Sequence, residues 1–200
     1  MSGTRPISRP ELTLPEAEAE RLRAAYEGAG VVLEYGSGGS TVMAAEMPGK
    51  TVFSVESDRD WAEMMLGWFK ANPPATGSDA KVIWVDIGPT KEWGHPAKAS
   101  KHLRFAQYPL AVWDMDGFSQ PDVVLVDGRF RTGCVMATAF RTQKPVTVLV
   151  DDYKRRKAYH KVEEFLGVPR MTGRMAEFEV TPMLPPPARL LEIVEMMTRP

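Results

Sequence analysis

Five short apolar runs recur along the chain: 31–35 (VVLEY), 51–56 (TVFSVE), 81–87 (KVIWVDI), 122–127 (DVVLVD) and 146–151 (VTVLVD). Each is rich in β-branched residues, alternates little with polar ones, and is bounded by turn residues. A strand with one wet face alternates apolar and polar positions, whereas a strand buried on both faces reads as a continuous apolar run. The five runs therefore predict parallel strands covered by helices on both sides. Helical spacing fits between them, over 40–46, 59–71, 131–140 and 155–166. Ahead of the first run, Thr13 and Glu16 stand at capping-box spacing around Pro15 and predict a helix over 15–27, closed by Gly28 and Gly30. Strand alternating with helix predicts right-handed crossovers and a doubly wound α/β sheet.

Three stretches depart from this rhythm. The tail reads RMAEFEV at 174–180, a PMLPPP break, then ARLLEIVEMM at 188–197. It predicts a C-terminal antiparallel hairpin completing a mostly parallel seven-stranded sheet, although the spacing of the last segment also fits a helix. Residues 1–14, rich in Pro, Ser and Arg, are expected to form a loose arm. The segment 88–117 is long for a connection and lacks a clear period. It leaves the carboxyl end of the third strand, where open α/β sheets bind ligands, so it reads as an insert or lid, or else as a surface loop with its own apolar cluster. No repeat or linker divides the chain, and residues 1–200 are expected to form a single domain.

Composition narrows the function classes. The 200 residues carry 25 Lys and Arg against 26 Asp and Glu, for a net charge of −1. That balance argues against nucleic acid or a membrane surface as partner and leaves a small molecule as the expected one. One cysteine, Cys134, permits no internal disulfide, and its apolar neighbours mark it as core. The first residues show no secretory pattern and no run reaches bilayer length, so a cytoplasmic protein is expected.

The strongest chemical signal is the run Glu34-Tyr-Gly36-Ser37-Gly38-Gly-Ser40-Thr41, directly after the first strand. Its glycines permit a tight turn and close approach of backbone to ligand. Glu56 ends the second strand, where a carboxylate can accept hydrogen bonds from two vicinal ribose hydroxyls, or cap the following helix. Asp86, at the end of the third strand, could meet an adenine amino group or cap the next turn.

Together Glu34-x-Gly36-x-Gly38, Glu56 and Asp86 resemble the class I S-adenosylmethionine-dependent methyltransferase family, and the resemblance spans about residues 15–197. It implies a Rossmann-like fold and S-adenosylmethionine as cofactor. Gly36, Ser37 and Gly38 would hold its methionine part, Glu34 would steady its amino end, Glu56 would hold the ribose, and Asp86 would lie near the adenine. Ser40 stands where the family often has a third glycine, and could bond the ligand. A nicotinamide-binding oxidoreductase is disfavoured. Its loop needs a glycine where Thr41 stands, and Glu34 would repel a pyrophosphate while tolerating a sulfonium.

Further polar residues stand at the last two strand ends. Asp127, Arg129 and Arg131 follow the fourth, and Asp151, Asp152 and Tyr153 end or follow the fifth. Asp127, Asp151 and Asp152 could hold a divalent cation through oxygen ligands, in the way similar to magnesium-dependent O-methyltransferases of the catechol type. The neighbouring arginines offer two other accounts: ion pairs that neutralise the acids without metal, or bidentate recognition of an anionic substrate. Asp127, Asp152 and His160 are the candidates for proton transfer, with Arg129, Arg131 and Tyr153 as substrate contacts. A histidine on a helix is also a common packing residue. The expected activity is methyl transfer to a small hydroxylated or anionic acceptor. The alternative is a non-catalytic relative that binds a nucleoside or a partner, because fold does not dictate function.

Overall fold

The computed structural model of the chain describes residues 8–200. Seven strands form one sheet in the order β3-β2-β1-β6-β7-β9-β8: β1 Val31–Tyr35, β2 Thr51–Glu56, β3 Asp79–Trp84, β6 Val123–Val126, β7 Val146–Val150, β8 Arg170–Thr172 and β9 Met175–Val180. A separate short ladder joins β4 Thr90–Lys91 to β5 His95–Pro96. The first five strands of the large sheet are parallel, with Leu33 opposite both Phe53 and Val124. β9 runs antiparallel to β7 and pairs with β8.

Two apolar layers explain the unalternating runs. On one face Val32, Val52, Leu125 and Leu149 pack against Leu22 and Tyr26 of α1 (Glu16–Gly28) and Met43 of α2 (Gly39–Ala45). On the other, Leu33, Phe53, Val124 and Val148 pack against Met136 of α5 (Arg131–Arg141) and Ile193 of α7 (Leu190–Thr198). Successive side chains point to opposite faces, so both sets must be apolar when helices cover both. Helix α3 (Arg59–Ala71) buries Ala62 and Met65 against Val82.

Three expectations are corrected. The terminal hairpin is made by β8 and β9, and 188–197 is a short 3-10 turn leading into α7, whose Ile193, Met196 and Met197 are buried at helical spacing. The expected helix over 155–166 is a 3-10 segment over Lys157–Val162 followed by a single turn, α6 (Glu163–Leu166). Its basic start, Lys154 to Lys157, sets cations against the positive end of a helix and disfavours a regular first turn. The expected loose arm is packed where it is described: Pro10 is buried, and Leu12 and Leu14 rest on the α1–α2 layer. Residues 1–7 of that arm lie outside the described residues.

The long segment 88–117 divides into two parts. Its second half, with α4 (Gln107–Leu110), inserts Phe105, Tyr108, Val112 and Trp113 into the core. Tyr35 anchors it, its hydroxyl donating to the Pro109 carbonyl at 2.7 Å and accepting from Trp113 Nε1 at 2.8 Å. The first half, with β4 and β5, stays at the carboxyl edge of the sheet.

Candidate functional site

From β1 the chain runs outward through β2 to β3 on one side and, after the long segment, through β6 to β7 on the other. The order reverses between β1 and β6, and a crevice opens at the carboxyl ends of strands at such a point. A cavity of about 740 Å³ lies there, bounded by the loop 36–40, Glu56, Asp127 and Arg129. Ligand pockets fall in this size range, and no bulky side chain fills it.

The loop is built by close backbone contact. Gly36 has φ +104, and a Cβ on it would stand 2.7 Å from the Gly128 nitrogen. The Gly36 N–H donates to the Val55 carbonyl at 2.8 Å. The Ser37 N–H donates to Glu56 Oε2 at 3.2 Å, and the Ser37 carbonyl accepts from Trp61 Nε1 at 2.8 Å. Around Gly38 a Cβ would meet nothing within 4 Å, so this part of the loop faces open space. Ser40 also lines the cavity.

Glu34 is fully buried beneath the loop and does not line the cavity. Its carboxylate accepts from Tyr26 Oη at 2.6 Å and from Thr41 Oγ1 at 2.5 Å, and Thr41 Oγ1 accepts in turn from the Gly38 N–H at 2.9 Å. Burial pushes the Glu34 carboxyl above the usual range, against the hydrogen bonds from Thr41 and Tyr26. Glu34 therefore braces the loop from behind.

Glu56 does line the cavity, at 8% exposure. Oε1 accepts the N–H groups of Ser57 at 2.6 Å and Asp58 at 2.9 Å, while Oε2 takes only that of Ser37. A carboxylate offers about four acceptor positions, so Oε2 keeps one for a ligand hydroxyl. Burial raises the pKa of this group, and the three backbone N–H groups oppose the rise. Gly94, between β4 and β5, lies over Glu56 and receives the Ser57 hydroxyl at 3.0 Å on its carbonyl. Trp93 and Glu92 thereby join the cavity wall.

Asp127 is 33% exposed and forms a 3.0 Å ion pair with Arg131. Burial pushes its carboxyl up to about 6; Arg131 opposes the rise, and Asp151 and Asp152 add to it. Arg129 lines the cavity without an ion-pair partner among the described residues, and its Nε is buried with no hydrogen-bond acceptor.

The remaining predicted site residues stand elsewhere. Asp86 does not line the cavity; Arg104 pairs with it and the Gly88 N–H donates to it at 2.8 Å. Arg131 is nearly buried and staples the ends of β6 and β7, donating to the carbonyls of Gly128, Asp127 and Asp151. Asp151 is held bidentately by Arg174 at 2.9 and 2.7 Å. Asp152, at φ +56, pairs with Arg156 at 3.2 Å and Arg174 at 3.3 Å. Tyr153 is buried, donates to Glu163 at 2.9 Å and stacks on the His160 ring at 4.8 Å. His160 is thus part of a packing pair.

In this structure the three acids are engaged in ion pairs. Arginines occupy Asp127, Asp151 and Asp152, and no group of three or more metal-ligating residues is found among the described residues. Sequence reasoning missed Trp61 and the arm residues Glu11 to Leu14, all of which line the cavity. Gly39 carried the hidden signal for the arm: a Cβ there would stand 2.2 Å from the Glu11 carbonyl carbon.

No protein-family model and no curated protein matches the sequence. Among solved structures, a methyltransferase-like protein from Silicibacter pomeroyi is 60% identical, with a TM-score of 0.94 covering 96% of this chain and 99% of that one. The O-methyltransferase TomG from Streptomyces achromogenes, in complex with S-adenosylmethionine, is 17% identical with a TM-score of 0.51, over 85% and 81% of the two chains. An O-methyltransferase from Bacillus cereus, in complex with S-adenosylhomocysteine, is 12% identical with a TM-score of 0.53, over 82% and 80%. These last two are alike in fold alone.

Proposed function

Because this chain belongs to the methyltransferase-like members of the class I S-adenosylmethionine-dependent methyltransferase family, we propose that it binds S-adenosylmethionine in the cavity at the β1–β6 switch point and transfers its methyl group to a small acceptor. The carrying observation is the joining of the loop 36–40, Glu56 and Asp127 around one open cavity of about 740 Å³.

The residues present fit the cofactor chemically. S-adenosylmethionine carries a sulfonium and an ammonium against one carboxylate, and among the described residues the wall is predominantly acidic, with six carboxylate side chains. Gly38 leaves room for close approach of the backbone, and Glu56 Oε2 retains an acceptor position for a ribose hydroxyl. When bound, the cofactor supplies an already activated methyl group, so positioning supplies much of the catalysis.

Asp127 is the residue placed to take the acceptor's proton. A base works best with a pKa near the working pH, and Asp127 at about 6 is ionised at neutrality yet far more basic than an ordinary carboxylate. Its anchor on Arg131 keeps the carboxylate aimed from the end of β6. Glu34, Thr41 and Tyr26 act as positioning residues for the loop.

The test is release of S-adenosylhomocysteine on incubation with a panel of small hydroxylated and anionic acceptors. General acid–base assistance is worth about 10²- to 10⁴-fold, so Asp127→Asn should lower kcat by that order at pH 8 with the cofactor KM little changed. An unaltered kcat would remove Asp127 from the mechanism.

A further inference from the structure

We propose that the methyl acceptor is an anion, a small molecule bearing a carboxylate or phosphate, and that Arg129 receives its charged group. The proposal rests on the reading of the cavity as an S-adenosylmethionine site and adds the class of the second substrate.

Charge in the wall is one-sided. Glu11, Glu56, Asp58, Asp60, Glu92 and Asp127 all border the cavity, and they suit a cofactor with two positive groups. Arg129 stands among them as an exception. It has neither ion pair nor, at its buried Nε, any hydrogen-bond acceptor among the described residues. Its neighbours are paired, Arg131 with Asp127 at 3.0 Å and Arg156 with Asp152 at 3.2 Å.

Basic side chains lie near it. Burial first, and then Arg131 and Arg156, lower the pKa of Arg129. Burial first, then Arg129, Lys91 and Arg156, lower that of His95. Lys91 and His95 face each other across the β4–β5 ladder. A desolvated cation without a partner is costly in a fold, and a ligand anion completes it. The guanidinium fork matches a carboxylate or phosphate bidentately. Arg129 and Asp127 border the same cavity, so an anion held by Arg129 shares it with the carboxylate that takes the proton.

The experiment titrates inorganic phosphate and benzoate separately into protein saturated with S-adenosylhomocysteine, by isothermal calorimetry. Wild type, Arg129→Gln and Arg129→Lys are compared. Wild type should bind at least one anion saturably, and which of the two binds more tightly assigns phosphate or carboxylate. Arg129→Gln should weaken that binding about 10-fold or more, with Arg129→Lys retaining part of it. S-adenosylhomocysteine affinity should stay within about twofold in both variants. Absence of anion binding to the saturated wild type, or equal binding by Arg129→Gln, overturns the proposal. So does a large loss of S-adenosylhomocysteine affinity in Arg129→Gln with unchanged affinity for 5′-methylthioadenosine, which lacks the amino-acid carboxylate; Arg129 would then serve the cofactor. Failure of wild type to bind S-adenosylhomocysteine at all would instead sink the cofactor reading, and the acceptor assignment with it.

Discussion

Asp127 joins a structural and a chemical consequence in one carboxyl group. Folding raises its pKa to about 6, so the protonated form is the one the fold favours. Between the ordinary carboxylate range and about pH 6, the folded protein holds a proton that the unfolded chain has released. Stability from this group is therefore fully present at low pH, falls as pH rises toward 6, and is level above it. Thermal melts of wild type and Asp127→Asn should show the variant gaining on wild type from pH 4 to pH 6 and holding a constant difference from pH 6 to pH 8. A difference that does not vary with pH would mean that Asp127 titrates as a free carboxyl. The activity limb has the opposite sense, rising with pH through about 6 as the base ionises.

At the scale of elements, the turn from β1 into α2 depends on polar groups buried below it. Thr41 links the Gly38 N–H, in the cavity wall, to Glu34, and Thr41 and Glu34 are both buried behind that wall. Thr41→Val keeps the shape and removes the hydroxyl, leaving a buried carboxylate short of a donor and the Gly38 N–H without its acceptor. A loss of about 1–3 kcal/mol follows, or a melting temperature lower by about 2–10 °C, measurable by calorimetry. Melting within a degree of wild type would show that the link does not hold the loop. The arm behaves as a second such element. Gly39→Ala puts a Cβ into the Glu11 backbone, and a glutamyl endopeptidase should then cut after Glu11, in an arm that the pairing of Arg9 with Glu46 at 2.8 Å holds in wild type. Unchanged resistance to cleavage would contradict the packed arm.

Which elements were legible in the sequence follows from the range of the forces that shape them. The strands β1, β2, β6 and β7 could be read because burial on both faces forces continuous apolar runs. β3 was harder: it lies at the sheet edge, so its register shifted to Asp79–Trp84 and Asp86 fell beyond it. The Gly loop and Glu56 were legible because local turn chemistry requires them. The surroundings of Asp152, Tyr153 and His160 were only partly so: the i,i+4 spacing of Asp152 and Arg156 can be read, but Arg174, Glu163 and the Tyr153–His160 stack are set by the fold. The contribution of the arm was hidden for the same reason.

For the whole molecule, the sheet order explains why one site gathers residues so far apart in sequence. Reversal between β1 and β6 leaves the crevice, the turn after β1 supplies the glycines, β2 supplies Glu56, and β6 supplies Asp127 and Arg129. The long segment contributes from both halves, with Tyr108 as floor and Trp93 and Gly94 over Glu56. On the proposed reading, cofactor binding depends on the tertiary arrangement and not on the loop alone. The most direct measurement is isothermal titration of S-adenosylmethionine and S-adenosylhomocysteine into wild type and into Glu56→Ala, with the fold of the variant verified by near-ultraviolet circular dichroism. Wild type should bind both saturably at one site. Loss of the charge-assisted acceptor for a ribose hydroxyl, and of the N–H anchors beside it, should weaken both by about 100-fold. Folded wild-type protein that binds neither compound would contradict the account.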